Sequence, residues 1–147
     1  MTEENLFREK AAAGYVVCSA EQCPMKTHCL RWLVGQQMPD TTMSYSCVNL
    51  RYQGVATEQC PLYRNSEPAR FARGMTHIFN GDMPRRLETS MRRRLIAHYG
   101  RTYFYEYRNG KRIIPPKMQQ DVRRLFLEAG WKGNIEFDSY FEDYEWK

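Results

Sequence analysis

The sequence predicts an α+β fold in which a metal-stapled, Cys-rich N-terminal lobe packs on a C-terminal lobe of order helix–helix–β-hairpin–helix. Three observations carry this. All five cysteines lie within the first 60 of 147 residues. "PRRLETSMRRRLIAHYG" and "PPKMQQDVRRLFLEAG" have helical apolar periodicity with Pro at one end and Gly at the other. Between them, "RTYFYEYRNGKRII" alternates β-forming residues around Asn109-Gly110, the preferred two-residue hairpin turn. The lobes divide at residues 1–66 and 67–147, within the length of one ordinary domain.

In the first lobe, residues 24–35 read as a helix with Met25, Cys29, Leu30 and Leu33 to one side. "TTMSYSCVN" (41–49) alternates, with Met43, Tyr45 and Cys47 on one face, and reads as a half-buried strand. In the second, "EPARFARGMTHIF" (67–79) reads as a helix stopped by Asn80-Gly81. The next helix carries Leu87, Met91, Leu95 and His98 as its stripe. The last, after Pro116, turns Met118, Val122, Leu125 and Ala129 inward. A short strand "NIEF" and a terminal turn or helix with Asp138 as N-cap close the chain.

Apolar residues make up 42% and charged residues 27%, which is a globular composition. No apolar run approaches the ~20 residues of a membrane helix. The charged start "MTEENLFREK" lacks the layout of a secretory signal, so the expectation is a cytoplasmic protein with no membrane partner. Net charge is +5 and uneven. Residues 84–112 hold nine basic side chains against Glu88 and Glu106, whereas the last twelve residues hold five acidic ones against Lys147.

An odd number of clustered cysteines in a reducing compartment points to metal rather than to disulfides. The stretch "EQCP" occurs twice, at 21–24 and 58–61. Cys immediately before Pro suits an N-cap, where the following amides and the helix dipole favour the thiolate a metal requires. Cys18, Cys23, Cys29 and Cys60 together make a closed four-thiolate site for Zn²⁺, with an iron–sulfur cluster as the alternative. Cysteines packed as small apolar side chains are the plain alternative, and the one that fits Cys47. His28 reads as an exposed histidine of the helix.

The run Cys18-x4-Cys23-Pro24-x4-Cys29-Leu30-Arg31, followed by Cys60-Pro61-Leu62-Tyr63-Arg64, resembles a family of small uncharacterised proteins of gut Bacteroidales, a domain of unknown function. "HYGRTYFYEYRNGKRIIPP" (98–116) and "FDSYFEDYEW" (137–146) extend the resemblance over nearly the whole chain. It implies that the four cysteines form one set, and it implies no activity.

Arg85, Arg86, Thr89, Arg92 and Arg93 share the face opposite the apolar stripe. With a preceding helix and a hairpin tipped by Arg108, Lys111 and Arg112, the order is helix–turn–helix–wing, a layout for contacting DNA or RNA. A solvated face and ordinary protection of a sheet edge explain the same charges. The acidic, aromatic C-terminal segment is a candidate surface for a protein partner. Nothing matches a nucleophile elbow, a phosphate-cradling loop or H-E-x-x-H. A filled site of four thiolates leaves zinc no open position for substrate, so the reading leans away from an enzyme. Three readings follow: a zinc-stapled nucleic-acid-binding regulator, a zinc-stapled protein-interaction module, and an iron–sulfur redox or sensing protein.

Overall fold

The computed structural model describes residues 2–79 and 81–147. In chain order the elements are α1 (Glu3–Ala12), a 3-10 turn (Lys26–His28), α2 (Leu30–Gly35), β1 (Ala69–Arg73), α3 (Arg85–Tyr99), α4 (Arg101–Arg108), β2 (Ile113–Ile114), α5 (Pro116–Glu128) and β3 (Ser139–Asp143). The strands form one antiparallel sheet of order β2-β1-β3, so the fold is α+β. The chain divides into two units, one running to Pro68 and taking up Tyr144–Lys147, the other Ala69–Asp143.

In the first unit, α1 begins where Thr2 Oγ1 accepts a hydrogen bond from Asn5 N (3.2 Å). Glu3 and Glu4 in its first turn and Lys10 in its last complement the helix dipole. Gly14 ends it at φ +95°, where the Gly14 and Tyr15 amides cap the carbonyls of Ala11 and Lys10. Phe7 and Ala11 of α1 bury against Leu30 and Val34 of α2, with Val17 and Tyr144. The helix expected over 24–35 is broken at Cys29, whose backbone is extended (φ −109°, ψ 123°). The cause is long-range pairing: Cys29 bridges Asn65, and Leu30 N donates to Arg64 O at 2.8 Å. The strand expected over 41–49 reduces to one bridge between Val17 and Cys47. Met43 and Tyr45 are exposed, and so is Cys47, for which the sequence predicts burial. Alternation alone does not make a strand where no neighbour offers a ladder.

In the second unit, residues 69–73 of the expected first helix are instead the central strand. Ala72 packs inward between its cross-strand neighbours Ile114 and Tyr140. Asn80, half of the expected stop signal, lies outside the described residues. The expected hairpin is also absent. Residues 101–108 form α4, with Phe104 fully buried, and Gly110 (φ +79°) closes it. The Gly110 amide donates to Tyr107 O (3.2 Å) and the Lys111 amide to Glu106 O (2.9 Å), a Schellman motif. Asn-Gly is thus a helix stop here, and only "II" is a strand. "NIEF" buries Ile135 and Phe137 without pairing, and the strand forms just beyond it at Ser139–Asp143.

The helices at α3 and α5 lie where periodicity put them. His98 is exposed, and Ile96 and Tyr99 continue the α3 stripe in its place. Met91 and Leu95 of α3, Phe104 of α4, and Met118, Val122, Leu125 and Phe126 of α5 join Ala72 and Ile114 in one core. Gln119 is buried among them because its Nε2 donates to Arg70 O (2.9 Å) and Ile114 O (3.1 Å), binding α5 to two strands.

Candidate functional site

The two EQCP stretches adopt the same local backbone pattern. Cys23 N donates to Ala20 O (3.1 Å) and Cys60 N to Thr57 O (3.2 Å). Three residues on, Lys26 N donates to Cys23 O (3.4 Å) and Tyr63 N to Cys60 O (3.2 Å). Each cysteine therefore joins two back-to-back turns, with the proline at the second position of the later turn, where its fixed φ is favourable. These are not helix N-caps: Met25 precedes the 3-10 turn, and no helix follows Pro61. The dipole argument for stabilising a thiolate does not apply at either copy. Pro24 and residues 56–59 line one shallow depression, so the two turns are neighbours.

Cys18, Cys23, Cys29 and Cys60 all line a single cavity of about 20 Å³, together with Met25, Arg31, Trp32 and Tyr63. That volume holds one water-sized occupant. Cys47 and His28 are not among its lining residues. Cys47 instead points its thiol toward Ser19 Oγ at 3.6 Å. As the side chains stand, no three His, Cys, Asp or Glu among the described residues are arranged to hold a metal ion. The thiols surround the space without converging on one point. Burial pushes the Cys18 thiol above its ordinary pKa, and the neighbouring Cys29, Cys47 and Cys23 add to this. Ala56, also in the wall, has φ +64°, the one non-glycine among the described residues in left-handed backbone. Such strain costs an L-residue about 1–2 kcal/mol.

Arg31 is a wall residue that residue type and spacing do not single out. Its Nε donates to Leu62 O (2.8 Å) and its Nη1 to Val16 O (2.9 Å), while its own carbonyl accepts from Cys18 N (3.0 Å). The guanidinium also lies over the Tyr15 ring at 5.2 Å. The signal present in sequence was the Cys-Leu-Arg run alone, which says nothing of these acceptors.

A family model described as a family of unknown function (DUF6078) matches residues 1–146. The chain belongs to the DUF6078 family. No curated protein and no solved structure matches it.

The basic face of this DUF6078 protein divides in two. Arg85, Arg86, Thr89 and Arg93 line one shallow, open concavity on α3 with Ser90. Among the described residues, Arg85, Arg86 and Arg93 make no ion pair. Arg92 turns away to Glu88 (3.2 Å) and lies 5.1 Å over the Phe79 ring. Arg108, Lys111 and Arg112 stand at the C-terminus of α4, not on a wing. There Arg112 and Lys111 pair with Glu106, and Arg108 reaches Asn109 Oδ1 (3.4 Å). With the first helix a strand and the hairpin a helix, the helix–turn–helix–wing layout does not exist in this fold. The terminal aromatics Tyr144 and Trp146 are packed within the first unit, against Phe7. Among the described residues no helix is long and apolar enough to cross a membrane.

Proposed function

We propose that this DUF6078 protein is a zinc–thiolate protein, its first unit stapled by one Zn²⁺ held by Cys18, Cys23, Cys29 and Cys60. The observation that carries the reading is that these four thiols, drawn from separate stretches of chain, line one cavity of about 20 Å³. In the zinc-bound form the four sulfurs would turn onto a common centre at the ~2.3 Å of a zinc–thiolate bond. A space for a single ion favours zinc over a multi-atom iron–sulfur cluster. Binding to four deprotonated thiols adds directly to folding free energy and releases protons. A reducing, cytoplasmic setting belongs with this reading.

Metal analysis of the purified chain tests it. One zinc per chain is expected, strongly reduced in Cys60→Ser and unchanged in Cys47→Ser, whose thiol is outside the cavity. A metal-free wild-type protein that takes up no zinc removes the proposal. A brown sample absorbing in the visible range transfers the site to an iron–sulfur cluster.

A second reading rests on the α3 concavity, where Arg85, Arg86 and Arg93 stand beside Thr89 with no ion-pair partner among the described residues. Three adjacent guanidinium groups offer charge-assisted contacts to the phosphates of DNA or RNA. Titration with mixed-sequence DNA and RNA at two salt concentrations is decisive. Affinity falling with salt, and a log–log slope reduced by about 3 in the Arg85→Glu/Arg86→Glu/Arg93→Glu variant, is the expected result. Arg112→Glu changes little, since Glu106 already neutralises that end. Undetectable binding at low salt removes this reading and leaves the zinc site untouched.

A further inference from the structure

We infer that Arg31 is the positioning residue of the thiolate site, holding the Cys60 turn against the Cys18 and Cys29 segments around their common cavity. The inference rests on the zinc reading above.

The hydrogen bonds define its reach. Arg31 is two residues after Cys29, Leu62 two residues after Cys60, and Val16 two residues before Cys18. The bonds from Nε to Leu62 O (2.8 Å) and from Nη1 to Val16 O (2.9 Å) join all three segments through one planar group. The Tyr15 ring, 5.2 Å from the guanidinium carbon, adds a cation–π contact to the same group. The segments differ in what else holds them. Cys18 is also tied by its own amide to the Arg31 carbonyl (3.0 Å), and Val17 beside it bridges Cys47. Cys29 is tied by its bridge to Asn65. The Cys60 turn has its local i to i+3 bonds and the bond from Arg31 Nε to Leu62 O, while its other ties to the Cys29 side, Leu30 N to Arg64 O (2.8 Å) and the Cys29–Asn65 bridge, lie further along the chain. The fork is thus the tie between segments nearest to Cys60 along the chain, and its loss frees Cys60 first.

A lysine keeps the charge but not the fork, because one ammonium cannot hold two carbonyls in the guanidinium geometry. Lys26 already brings an ammonium to the same wall, so charge alone does not set Arg31 apart. The wanted property is geometry.

Co²⁺ added to the full chain is the probe, because sulfur-to-cobalt charge-transfer absorption scales with the number of bound thiolates. Wild type is expected to show four thiolates. Arg31→Gln and Arg31→Lys should show three, the same spectrum as Cys60→Ser, with cobalt affinity lower by about 10–100-fold. The Arg31→Gln/Cys60→Ser double variant should lose nothing beyond Cys60→Ser alone, as coupled groups do. Val34→Ala, a cavity in α2 that leaves the guanidinium fork and all four thiols in place, controls for mere destabilisation and should keep four. If Arg31→Gln does not fold, Arg31→Lys decides alone. A four-thiolate spectrum at wild-type affinity in the folded Arg31 variant overturns the inference while zinc binding stands. A wild type with no charge-transfer band defeats the zinc reading itself.

Discussion

Tyr140 carries one hydroxyl that organises a segment without secondary structure of its own. Its oxygen accepts from Arg123 Nη2 (3.1 Å) and Phe137 N (3.1 Å), and donates to Glu136 Oε2 (2.7 Å). The Arg70 guanidinium covers the ring at 3.7 Å. The hydroxyl's bond, ahead of that from Asn134, holds the Glu136 carboxyl below the usual glutamate range. Tyr140→Phe leaves a backbone amide and a guanidinium without their shared acceptor, and stability is expected to fall by about 1–3 kcal/mol in urea titrations. The sign with pH follows. A pKa lowered by folding gives stability that is present above the unfolded value and lost as pH falls through the folded one. Stability should therefore fall less steeply on acidification in Tyr140→Phe, and the Glu136 resonance should titrate at higher pH than in wild type. An unmoved Glu136 titration contradicts this account. None of this was legible in sequence, where Tyr140 was one aromatic in an acidic tail; a hydroxyl's partners are set by tertiary placement. Cys18, Cys23, Cys29 and Cys60 are the opposite case, since residue type and clustering alone single them out, although nothing in their spacing names Arg31.

Among the elements, α3 and α5 were readable because each sustains a 3.6-residue apolar stripe over several turns between Pro and Gly. α4 was not. In "TYFYEYRNG" the β-propensity of alternate tyrosines and the Asn-Gly signal agree with a hairpin, and the helix wins by burying Phe104 and ending at Gly110. β1 was misread for a related reason: "ARFAR" is short, and its main pairing partner Ser139–Asp143 is distant in sequence. The stop at Gly110 gives a test of the element. An ideal Cβ there meets no atom closer than 4.0 Å, so Gly110→Ala suffers from its φ of +79° rather than from a clash. We expect a loss of about 1 kcal/mol by denaturant titration. Gly110→Asn should cost less, because asparagine tolerates left-handed backbone. Equal costs for the two would argue against backbone strain as the cause. The same stop explains why Arg108, Lys111 and Arg112 cluster: cations at a helix C-terminus oppose the partial negative charge of its last carbonyls.

At the scale of the whole molecule, the chain passes between its two units twice, after Pro68 and after Asp143. The last four residues are structural members of the first unit. Tyr144 Oη donates to Glu3 Oε2 (2.6 Å), its ring meets Phe7 edge-on at 5.4 Å, and Trp146 meets Tyr15 at 5.4 Å beneath Lys10 Nζ at 4.6 Å. That unit's buried cluster otherwise rests on Phe7, Ala11, Val17, Leu30 and Val34, a small core for its length. The aromatic tail and the proposed zinc site both act on this weaker half. Tyr144→Ala removes a buried ring and is expected to cost the first unit about 3–5 kcal/mol. In hydrogen exchange, amides of α1 and α2 should lose protection while those of α3 and α5 keep it. Free zinc at 100 times its dissociation constant should return about 2.7 kcal/mol to the variant, as ligand binding to the folded state requires. Protection lost equally in α5 would show that the two units unfold as one. Recovery without zinc dependence would separate the tail's contribution from that of the four thiols.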